Sequence, residues 1–64
     1  MNIAEALANE IKRNFELLEE YKKIPTGTFG ATMISQDIDN AVDALASGDV
    51  IEMLKAYEVM KGNK

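Results

Sequence analysis

Pro25 is the chain's one proline, and it lies in the stretch Ile24-Pro25-Thr26-Gly27-Thr28-Phe29-Gly30-Ala31-Thr32, where helical periodicity stops. The rest of the sequence reads as helices entering and leaving this stretch. Proline has no backbone N–H and pushes the residue before it out of the α region, so a first helix must end by Ile24. Gly27 and Gly30 flank Phe29 and allow positive φ on either side of it, which gives the loop a defined shape around one large apolar residue.

Upstream, Asn2 and Glu5 have the spacing of a capping box, and the spacing predicts a helix over 3–23. Ala4, Leu7, Ile11, Leu18 and Tyr21 recur at helical intervals, with Ile3, Phe15 and Leu17 widening the stripe. At about 1.5 Å per residue this helix would run roughly 31 Å, long enough to serve as the spine of an interface. Asn14 falls on the seam where a heptad wants an apolar residue. The simpler reading is an edge amide reaching solvent; the sharper one is a buried register-setter between subunits. Lys22 and Lys23 complement the helix C-terminus, and Glu19 with Lys23 forms a favourable i,i+4 pair.

Downstream, Ala31, Ile34, Ile38, Ala41 and Leu45 predict a second helix over 29–47. Its Asp37, Asp39 and Asp43 have no basic residue among them and read as solvated charge. Ser47-Gly48-Asp49 is a stop and restart: Gly48 suits a left-handed C′ position, and Asp49 caps a third helix over 50–61. Val50, Met53, Leu54, Tyr57 and Met60 are its expected buried face, and Gly62-Asn63-Lys64 a fraying tail. Residues 41–61 resemble one helix-turn-helix unit of a tetratricopeptide or pentatricopeptide repeat, but no second copy follows, so they read as an αα-hairpin. The expected fold is all-α: a single domain over 1–64, with a long first helix followed by that hairpin.

A chain of 64 residues buries only about 60% of the surface its unfolded form exposes. Without cysteine or histidine it has neither a disulfide nor the usual zinc ligands to reinforce so small a core. Homo-oligomerisation is the remaining remedy, and 47% hydrophobic against 6% aromatic residues suits helix packing. The net charge of −4 argues against coating nucleic acid. No apolar run approaches a membrane span, and Met1-Asn2-Ile3-Ala4-Glu5 lacks the features of a signal peptide, which points to the cytoplasm.

Neither a Ser–His nor a Cys–His pair is available, and the glycine spacing matches no Walker A or dinucleotide fingerprint. The chain is therefore expected to bind and not to catalyse, with no cofactor and no metal. The candidate ligand site is the loop and its approach. Thr26, Gly27, Thr28, Phe29, Gly30 and Thr32 offer hydroxyls and the free N–H groups of a helix N-terminus. Lys22 and Lys23 add positive charge, and Tyr21 or Phe29 a surface on which a base would stack. The plainer alternative is structural: Thr28 caps the second helix, the glycines make the turn, and Phe29 plugs the top of the core.

Glu20-Tyr21, then Pro25-x-Gly27-x-Phe29-Gly30-x-x-Met33-Ile34, then Ser47-Gly48-Asp49-Val50 and Ala56-Tyr57-Glu58, resemble short uncharacterised helical accessory proteins of tailed phages and prophages. The resemblance implies a small protein acting in a host bacterial cytoplasm, with no residue roles to carry over. By analogy of class it suggests counter-defence: sequestration of a small anionic or nucleotide-like ligand at the glycine loop. The alternative is an interaction module that inhibits a host protein, with the loop purely structural.

Overall fold

The backbone N–H of Glu5 donates to the side-chain oxygen of Asn2 at 2.8 Å, which fixes the start of the first helix. In the computed structural model, which describes residues 2–64, α1 runs Ile3–Lys22, α2 Thr28–Ser47 and α3 Val50–Gly62. The described residues include no strand, so the fold is all-α, and every expected boundary lies within one residue of the observed one. α1 and α2 each have 20 residues and α3 has 13. The first helix is therefore matched in length by the second, and α3 spans only about two-thirds of either. Among the described residues no helix is long and apolar enough to cross a membrane.

The two turns stop the helices by different means. After α1, the N–H groups of Lys23 and Ile24 donate to Glu20 and Tyr21 carbonyls, and Gly27 donates to the Ile24 carbonyl at 2.9 Å. After α2, Gly48 takes φ 71°, and Asp49 then accepts from the N–H groups of Ile51 and Glu52. Gly48 alone has positive φ among the described residues. Gly27 and Gly30 do not use the positive φ that glycine allows. They are needed instead for close approach: a Cβ at Gly27 would lie 2.4 Å from the Tyr21 carbonyl oxygen, and one at Gly30 2.6 Å from the Tyr21 ring.

Leu7, Ile11 and Leu18 of α1 pack with Ile34, Ile38, Ala41 and Ala44 of α2 and with Met53 and Met60 of α3. Each fully buried Leu or Ile contributes about 1.5–3 kcal/mol of transfer free energy. Three members of the expected core lie outside it. Phe15 is exposed, as are Val50 at 54% and Leu54 at 46%. At 100° per residue Leu54 lies about a quarter-turn from Met53, off the narrow Met53–Met60 stripe that α3 presents to the other two helices.

Asn14 is fully buried, at 0% exposure, and so does not reach solvent. Its burial is intramolecular. Nδ2 donates to the Glu10 carbonyl at 2.8 Å and to the Met60 carbonyl at 3.2 Å, while Oδ1 accepts from Asn63 Nδ2 at 3.0 Å. Arg13 Nη2 also donates to the Met60 carbonyl, at 2.8 Å, and Asn63 Nδ2 also donates to Asp37 Oδ2, at 3.1 Å. The amide network therefore ties the end of α3 to both other helices. Asn63 and Lys64 are accordingly held and not frayed, since the Tyr21 hydroxyl also donates to the Lys64 carbonyl at 2.6 Å.

Candidate functional site

The end of α1 and the start of α2 enclose an open groove of about 540 Å³. Tyr21, Lys22, Thr28 and Thr32 line it, together with Asp39. Of the other residues expected to form a ligand site, Lys23, Thr26, Gly27, Phe29 and Gly30 do not line this groove. Gly27 is buried in the turn, and Gly30 lies against the Tyr21 ring. The structure thus brings four of the candidates together and turns the others into turn, packing and outer surface.

The start of α2 differs from the other two helix starts. Asn2 caps α1 and Asp49 caps α3, with Glu5 and Glu52 in their first turns. Gly27 caps α2 without a side-chain hydrogen bond, and no acidic residue follows in its first turn. Thr28 is the first helical residue and not the cap; its carbonyl accepts from Thr32 Oγ1 at 2.9 Å. The Ala31 N–H donates to the Gly27 carbonyl at 2.8 Å, so the unpaired N–H groups belong to Thr28, Phe29 and Gly30. The N–H of Thr32, expected among them, is inside the helical ladder, as is that of Ala31.

The charge around the groove is close to balanced. Lys22 Nζ lies 3.8 Å from Glu19, and Lys23 Nζ lies 3.7 Å from Glu20. These i,i+3 pairs replace the expected Glu19–Lys23 pair. All four side chains are exposed, so each pair is worth little, but both lysines have carboxylates at hand and Asp39 faces the same groove. An anion entering it would meet one lysine, Lys22, already paired with Glu19, and one carboxylate, Asp39.

Phe29 is 78% exposed, so it does not plug the core. Tyr21, partly buried and backed by Gly30, occupies that position. Phe29, Met33 and Asp37 form one i,i+4 row along α2. Asn63 meets this row at Asp37, α3 stops there, and Met33 and Phe29 continue one and two turns beyond it with no helix over them. Ile24, in the turn at the same end, is also exposed. Sequence reading missed this bare ridge because a lone aromatic beside glycines looks like a plug. The signal available was the length of α3, too short to reach that end.

Among the described residues no three His, Cys, Asp or Glu side chains converge to hold a metal ion. Comparison with protein-family models, with curated proteins and with solved structures found no match to this chain.

Proposed function

We infer that the protein is a non-enzymatic binding module that acts through protein–protein contact and self-associates through the bare end of its α1–α2 hairpin. The carrying observation is the Phe29–Met33 ridge, apolar and uncovered at the end where α3 stops. In a chain this small, covering such a ridge removes apolar area from water on a scale that matters to total stability. In the setting implied by the resemblance to phage and prophage accessory proteins, the same mode of action suits a host protein as the target.

Sedimentation velocity across a dilution series tests the self-association. The wild-type protein is expected to sediment above the monomer mass, and Phe29→Ser with Met33→Gln to return it to monomer with an unchanged helical circular-dichroism signal. A wild-type monomer at every concentration would overturn the reading.

A second reading, capture of a small anionic ligand in the groove beside Thr28, is favoured by one observation. The α2 N-terminus alone lacks both a capping side chain and a first-turn acid. Isothermal titration with a nucleotide panel tests it: binding lost in Lys22→Glu would support it, and silence across the panel would remove it.

A further inference from the structure

A second groove, of about 450 Å³, lies between α2 and α3, and its lining divides into an apolar floor and a charged rim. Ala44 of α2 and Val59 of α3 form the floor, and Val59 is 50% exposed. Asp37 and Asp43 rim it from α2, and Glu52 rims it from α3. Among the described residues Lys55 is the one cation in the lining, and its Nζ already lies 3.8 Å from Glu52. The rim therefore repels phosphate and attracts positive charge.

The spacing of these carboxylates narrows what the positive charge can be. They are strung along the groove and do not converge on a point, as the lack of any three-carboxylate cluster among the described residues requires. A single metal ion is poorly matched to that arrangement; cationic side chains spaced along a polypeptide are well matched. The apolar floor asks the same partner for an apolar side chain. From Asp37 to Ser47 the lining follows about 15 Å of α2, between two and three turns of a docked helix. Both walls are helices with their backbone groups paired internally, so an extended peptide finds no strand edge to join, whereas a helix presents i, i+3 and i+4 side chains to such a groove.

We propose that the α2–α3 groove is the docking site for an amphipathic helix of a partner protein, with Lys or Arg flanking the apolar edge that meets Val59. The assignment rests on reading the chain as a protein-binding module, but it uses neither Phe29 nor Met33. Steric fit on the small Ala44 floor selects the register, and the acidic rim speeds encounter and excludes acidic helices.

Selection from a random display library of peptides of about 16 residues, roughly four helical turns, reads the partner's chemistry directly. Recovered peptides are expected to carry Lys or Arg beside apolar residues at helical spacing. Their affinity should fall about tenfold or more in Asp43→Lys and in Val59→Gln, and should be unchanged in Phe29→Ser. Both groove positions are exposed, and the circular-dichroism spectrum checks that the variants remain folded. Acidic or uncharged winners, affinity retained in both groove variants, or no recovered peptide would each overturn the proposal. Binding that depends on Phe29 alone would overturn the groove while leaving the protein-binding reading in place.

Discussion

Every polar atom of the Asn14 side chain has a partner, and the Met60 carbonyl it serves has two other donors, Arg13 Nη2 and the Asn63 N–H. Replacement by an apolar residue of the same branched shape therefore strands little, because Asn63 keeps its bond to Asp37. Truncation adds a cavity. Asn14→Ala should cost about 2–3 kcal/mol and Asn14→Leu about 1 kcal/mol or less, measured by urea unfolding. An Asn14→Leu variant as unstable as Asn14→Ala would show that the network holds the end of α3 by more than filling space. The glycines divide in the same way by what surrounds them. Gly30→Ala should destabilise by about 1–3 kcal/mol, because its methyl would meet the Tyr21 ring. Gly62→Ala meets nothing within 4 Å and should be neutral or stabilising by up to about 1 kcal/mol, read as thermal midpoints.

Helix limits are written in local chemistry, and so they were legible. Asn2 before Ile3, Pro25 after Lys23, and Gly48-Asp49 between α2 and α3 each act within one turn of the chain. The buried faces of α1 and α2 were legible for a related reason, since charge on the outer side leaves one apolar stripe. α3 offers no such contrast. Val50, Ile51, Met53, Leu54, Ala56, Tyr57, Val59 and Met60 leave only Glu52, Lys55, Glu58 and Lys61 to mark an outside, so its face is chosen by the groove it meets and not by its own pattern. Val50→Lys and Leu54→Lys should each change stability by no more than about 0.5 kcal/mol, whereas Met53→Ala should cost about 2–5 kcal/mol, by chemical denaturation. The candidate ligand site was half legible. Residue types near the turn could be read from sequence, but the pairing of Lys22 with Glu19 and the outward aim of Phe29 depend on how the three helices meet.

At the scale of the molecule, which is about 37 Å in its longest extent, α3 lies along part of the hairpin that α1 and α2 form. Among the described residues nine hydrophobic side chains are buried, two of them alanines, a small core for a chain that has no cysteine to cross-link it. The apolar ridge left bare at one end and the acidic groove between α2 and α3 are two different surfaces, and contact with protein at either one extends the buried area. The two functional readings part on whether this chain meets other protein or a small molecule. Native mass spectrometry of the protein isolated gently from bacterial cells decides between them in one spectrum. Whole-number multiples of the 7.1 kDa chain with no added mass are predicted. A lone chain would contradict the self-association, and a multiple carrying a small-molecule-sized excess mass that is lost on denaturation would favour ligand capture over protein contact.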